Sequence, residues 1–83
     1  MGTVRILFFA SAKETVGLDT LELAIETPIS FDRLQTAVYE RFPNLLPLKP
    51  YLRWAVNQRF VSTAGFIVND GDEAAIIPPV SGG

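Results

Sequence analysis

The chain has 83 residues with no cysteine and no histidine, which sets one small domain and excludes disulfides, thiol nucleophiles, imidazole bases and zinc sites built on those side chains. Apolar residues make up 48% and charged residues 19%, the balance of a globular chain that must stand on its apolar core alone. A net charge of -2 argues against nucleic acid as a partner.

At the N-terminus, no charged region precedes the apolar run 6–10, which is too short for a secretion signal or a membrane span. A soluble, cytoplasmic protein with no membrane partner is therefore expected. Residues 4–10 are apolar on both faces, Val4, Ile6 and Phe8 on one and Leu7 and Phe9 on the other, with Arg5 as the one charge. Such a run predicts a central strand, either covered on both sides or covered once and used as an interface on the other. Ser11, Ala12, Lys13 and Glu14 have capping-box spacing, and Gly17 suits the left-handed end of a short helical turn. Leu21, Leu23 and Ile25 then alternate with Thr20, Glu22, Ala24 and Glu26, a half-exposed strand pairing antiparallel with the first.

Thr27-Pro28 breaks that strand, and Ser30 caps a helix predicted over 31–42, where Phe31, Leu34, Val38 and Phe42 fall on one stripe. Ile29 and Leu34 are spaced for a hydrophobic staple, and Pro43 stops the helix. A proline- and leucine-rich connection runs to Tyr51. Leu52, Trp54 and Val56 alternate with Arg53, Ala55 and Asn57, and Asn57-Gln58 turns the chain into residues 59–61. After an irregular stretch, Asn69-Asp70-Gly71-Asp72 is the strongest turn signal, launching residues 73–77, again apolar on both faces.

The first and last strands thus both read as central. The simplest sheet sets them side by side and parallel, with the amphipathic strands outside and the helix across one face. This is an α+β, ubiquitin-like β-grasp arrangement with a mixed sheet of about five strands. It is expected to occupy residues 1–78, with a flexible tail over residues 79–83.

Little in the side chains suggests chemistry of their own. Asp70, Asp72 and Glu73 cluster around a glycine turn, far short of a calcium loop, and read as a solvated turn. Glu14 reads as a cap, Arg33 and Arg41 as the wet face of the helix, and the glycines lack the spacing of a phosphate loop. Lys13 is either a contact for an acidic partner or an ordinary solvated lysine. No metal, no resident cofactor and no self-sufficient catalytic centre is expected.

The apolar surplus says more. One helix covers one face, taking Phe8, Phe31 and Trp54 with it. Leu7 or Phe9 and Ile77 or Ala75 are left on the other face, near Phe60. Either that face is a partner surface, or residues 43–51, with Leu45, Leu46 and Leu48, fold over it.

Pro78-Pro79 removes two ladder donors and ejects the chain from the last strand. Val80, Ser81, Gly82 and Gly83 follow. Two residues without Cβ atoms can thread a narrow channel and deliver a carboxylate to a partner's active site. That carboxylate, with a reference pKa of about 3.3–3.7, is ionised at neutral pH and a poor electrophile. It needs activation, for instance as an acyl-adenylate.

The segments Ile6-Leu7-Phe8-Phe9-Ala10, Ala55-Val56-Asn57-Gln58, and Asp70-Gly71-Asp72-Glu73 leading into Pro78-Pro79-Val80-Ser81-Gly82-Gly83 resemble the MoaD-type sulfur carriers, the small subunits of molybdopterin synthase. The resemblance spans nearly the whole chain and is most specific in the tail; the helix and residues 43–51 match only in pattern. It implies that the Gly83 carboxylate, preceded by Gly82, is adenylated by a ubiquitin-activating-like adenylyltransferase using ATP and Mg, and that a sulfur donor then converts it to a thiocarboxylate. It implies insertion of the tail into a large subunit, within a heterotetramer, and sulfur transfer to cyclic pyranopterin monophosphate by catalytic residues of that subunit. By the same resemblance Phe9, Phe60 and Ile77 lie in the partner-facing patch, Pro78, Pro79, Val80 and Ser81 belong to the bound tail, and Lys13 stands where the family carries a basic residue. The alternatives are a sulfur carrier for thiamine or tRNA thiolation, a ubiquitin-like modifier of lysines, and a plain interaction domain.

Overall fold

Strand β1 (Gly2–Phe8) buries Val4, Ile6 and Phe8 on one face and turns Arg5 and Leu7 to the other. The structure, a computed structural model, describes residues 1–79; Val80, Ser81, Gly82 and Gly83, and with them most of the expected tail, lie outside the described residues. Helix α1 (Ala10–Val16) follows β1 almost directly, and its start differs from the expected capping box. Phe9 is the N-cap, and its carbonyl accepts from the Ala12 and Lys13 N–H groups at 3.0 and 3.3 Å. Ala10 turns the chain at φ 48, so Ser11 already lies inside the first turn, not ahead of it where a capping residue must sit. Gly17 closes the helix at φ 79, the left-handed ending its lack of a Cβ makes cheap.

Strand β2 (Thr20–Ile25) returns antiparallel, setting Leu21 opposite Ile6 and Leu23 opposite Val4. A two-residue strand, β3 (Ile29–Ser30), leads into helix α2 (Phe31–Arg41). Ser30 caps it, its hydroxyl accepting from the Arg33 N–H at 3.3 Å. The helix buries Phe31, Leu34, Val38 and Tyr39, with Phe42 half-buried beyond its end. Segment Pro43–Tyr51 is not an open loop but a 3-10 helix containing Pro47 and Pro50. Proline's fixed φ, about −65°, lies within the 3-10 range. This segment packs on α1 and α2 and sends Leu45 fully into the core, so it lies on the helix side of the sheet.

Strands β4 (Arg53–Val56) and β5 (Arg59–Val61) form a hairpin around Asn57 and Gln58. Both turn residues have positive φ, 50 and 70, the geometry of the primed turns that match strand twist. Strand β6 (Ile67–Val68) pairs antiparallel with β3, a two-residue contact within the stretch expected to be irregular. Strand β7 (Glu73–Ile77) then enters between β1 and β4, giving the order β2-β1-β7-β4-β5 with β1 and β7 parallel neighbours. The two strands apolar on both faces are the central pair, as their sequences require.

The helix-side core is aromatic at its centre. Phe31 and Tyr39 meet Trp54 edge-on, at ring separations of 5.7 and 6.1 Å, geometry that the ring quadrupoles favour. Trp54 Nε1–H donates a long hydrogen bond, 3.4 Å, to the Tyr39 hydroxyl. Burial pushes the Tyr39 pKa up, and the bond from Trp54 opposes that only in part.

Candidate partner-docking interface

The strand registers align Thr20, Leu7, Ala75, Ala55 and Phe60 in one row across all the strands of the main sheet. Because side chains alternate along a strand, this row faces away from α2. Toward the end of β7 the next row pairs Ile77 with Arg53, and Phe9 continues β1 on the same side. Phe9 and Phe60 are 47% and 59% exposed, so two aromatic rings flank the row in solvent. Large apolar side chains gathered on one face are the mark of a binding surface. The alternative, a cover made by residues 43–51, is overturned, since that segment packs on the helices of the opposite face.

Sheet and turns position the rest. Ile77 is half-buried, Pro78 is buried within the chain and Pro79 is exposed. Pro78 is therefore an anchor fixing where the tail departs, and Pro79 is the residue of the pair that a partner can reach. Lys13, expected to face an acidic partner or plain solvent, is already engaged: its Nζ lies 2.7 Å from Asp19 Oδ1. The hydrogen bond to Asp19, then that carboxylate's charge, raises the Lys13 pKa above its usual value. Its ammonium keeps two further N–H donors, so an acidic partner group would share Lys13 with Asp19. Gly82 and Gly83, with Val80 and Ser81, lie outside the described residues.

The acidic turn is solvent-exposed as expected, yet it is also a knot, which sequence reasoning missed. Asp70 Oδ1 accepts from the Thr3 N–H at 2.8 Å, and the Gly71 N–H donates to the Thr3 carbonyl at 2.8 Å. Asp72 accepts from the Asn69 N–H at 2.8 Å and from Asn57 Nδ2 at 3.0 Å. Asn57 in turn accepts from the Glu73 N–H through Oδ1 at 3.0 Å. One side chain thus ties the β4–β5 hairpin to the start of β7. Asn57 was legible only as a turn former; that its amide reaches Asp72 and Glu73 depends on strands far apart in the chain. Among the described residues no three Asp and Glu side chains are grouped to hold a metal, and no helix is long and apolar enough to cross a membrane.

Two helices and a 3-10 segment laid over a mixed five-stranded sheet whose first and last strands are inner, parallel neighbours define a ubiquitin-like β-grasp protein, here with the opposite face open beside Pro78 and Pro79. The sequence matches the ThiS family over residues 6–83, and the chain belongs to that family. It is 38% identical over 82 residues to the molybdopterin synthase sulfur carrier subunit of Escherichia coli strain K12, covering 96% of this chain and 99% of that protein. Its fold is similar to the crystal structure of SAMP1 from Haloferax volcanii, with a TM-score of 0.85, 23% identity, and coverage of 99% and 100% of the two chains. It also matches a chain in the complex of subunits 1 and 2 of molybdopterin-converting factor from Helicobacter pylori, with a TM-score of 0.72, 20% identity, and coverage of 98% and 99%. At those identities the two structures speak to the fold alone.

Proposed function

We propose that this chain is the sulfur-carrying small subunit of a molybdopterin synthase, acting in the cytoplasm. The observation that carries the reading is the alignment with a named sulfur carrier subunit over nearly the full length of both chains. The open face beside the tail root supports it, because a carrier needs one surface to be recognised and one end to be loaded. In the proposed cycle a Gly83 carboxylate oxygen attacks the α-phosphate of ATP on a ubiquitin-activating-like enzyme, and pyrophosphate leaves with Mg. Sulfur supplied at the hydrosulfide level then attacks the acyl carbon, the bond from that carbon to the AMP oxygen breaks, and loss of AMP and a proton leaves the thiocarboxylate. The large subunit docks on Leu7, Phe9, Ala75, Ile77 and Phe60, draws in Val80, Ser81 and Gly82, and supplies the residues that pass sulfur to cyclic pyranopterin monophosphate. No catalytic side chain is asked of this chain.

Intact mass after incubation with the activating enzyme, MgATP and a sulfur donor tests the loading step. The expected product carries the mass increase of one oxygen exchanged for sulfur, and removal of Gly83 abolishes it while the fold persists. A truncated chain that still gains sulfur sinks the scheme. Co-purification with a pterin-binding large subunit separates this reading from thiamine, tRNA or protein-modifier roles, which would use the same tail with other partners.

A further inference from the structure

Among the described residues, Arg53 is the one charged side chain set with the apolar residues at the Ile77 end of the open face. Its guanidinium carbon sits 4.1 Å from the centre of the Phe60 ring, and its Cα is paired with that of Ile77, the last residue of β7. The two ion pairs among the described residues lie elsewhere, joining Arg5 to Glu22 and Lys13 to Asp19. Arg53 is exposed and without a carboxylate partner among those residues. The charges on this face are also unevenly placed: Glu22 and Glu73 flank Arg5 at the far end, while Arg53 stands at the tail end. A cleft of about 340 Å³ opens beside the Arg53–Phe60 pair, running past Leu52 toward Trp54 and Gln35.

Docking would strip water from Phe60, and Arg53 cannot stay wet while the ring beneath it is dried. A guanidinium taken out of water without an acceptor is costly. The ring face offsets part of its charge but accepts none of the conventional hydrogen bonds that its donors can make. A planar donor fork on an aromatic platform fits a carboxylate, which can accept two parallel N–H bonds. We infer that Arg53, held on Phe60, is the specificity-determining residue of the docking face, and that the large subunit meets it with an Asp or Glu side chain next to the channel that takes the tail. This rests on the docking reading given above.

The test measures binding of the full-length chain to its large subunit, with circular dichroism confirming that each variant is folded. Arg53→Met keeps the apolar reach and removes the charge; it is expected to weaken binding by about 10- to 100-fold. Arg53→Glu is expected to weaken it further. An Asp or Glu to Lys change at one site on the large subunit should restore binding of the Arg53→Glu chain and reduce that of the wild type. Binding of Arg53→Met as tight as or tighter than wild type overturns the proposal, and so does failure of every charge swap to rescue Arg53→Glu. Phe60→Asp separates the two readings: if it too binds like wild type, docking on this face has failed, not the Arg53 contact alone.

Discussion

The two faces of the main sheet are made from the same strands by alternate residues, yet they are finished differently. Val4, Ile6, Phe8, Trp54 and Ile76 are buried under α2 and the 3-10 segment. One residue along, Leu7, Ala75 and Ile77 are only half covered, and Phe9 and Phe60 stand in solvent. Hydrophobic content alone does not decide burial here; the direction in which each side chain leaves its strand does. The first face stabilises the molecule, and the second leaves apolar area uncovered. Substitutions should therefore separate stability from binding according to parity along the strand.

The sharpest contrast is between Leu34 and Phe60. Leu34→Ala opens a cavity under the sheet and is expected to lower unfolding stability by about 2–5 kcal/mol, read from urea titration. Phe60→Asp should change that stability by no more than about 0.5 kcal/mol yet abolish co-elution with the large subunit. Equal destabilisation by both would show that the open face is part of the core. Asn57→Ala breaks the tie between hairpin and acidic turn and should cost about 1–3 kcal/mol, while Asn57→Gly, which keeps the turn's positive φ easily, should lose nearly as much if the amide bonds matter more than the backbone. Tyr39 tests the covered face through pH. Its raised pKa means that the native state holds this proton more tightly than the unfolded chain. That contribution is intact below about pH 10 and is lost as pH rises through the native value. Thermal melts of Tyr39→Phe should fall less steeply over that alkaline window. The smallest effect is a gain: Gln58→Gly relieves a φ of 70 and should add about 0.5–1 kcal/mol, visible as a modest rise in melting temperature.

The sheet was legible because its information is local. Residues apolar on both faces at 4–10 and 73–77 named the central pair, and the alternation at 20–26 named an outer strand. The uncovered face followed from the same parity, with Phe60 placed on it by the Asn57-Gln58 turn. What escaped depends on meetings between distant segments. Ile29 and Ser30 pair with Ile67 and Val68 over too few residues to leave a periodic trace. Leu45 is buried on the helix side because its segment packs against both α1 and α2, which composition does not reveal. Ser11 looked like a cap because spacing cannot show that Ala10 turns the chain one residue earlier. Lys13 meeting Asp19 across the end of α1 is likewise a product of where Gly17 sends the chain.

The parallel pairing of β1 with β7 has a consequence for how the protein is made. The strand synthesised last among those described occupies the middle of the sheet, so until it arrives β4 and β5 have no link to β1 and β2 within the sheet. Contacts spanning most of the chain make such a fold slow to close and leave a nascent fragment exposed. A chain broken anywhere before β7 therefore keeps two separate pieces of sheet and cannot assemble the row that runs from Leu7 through Ala75 to Ala55.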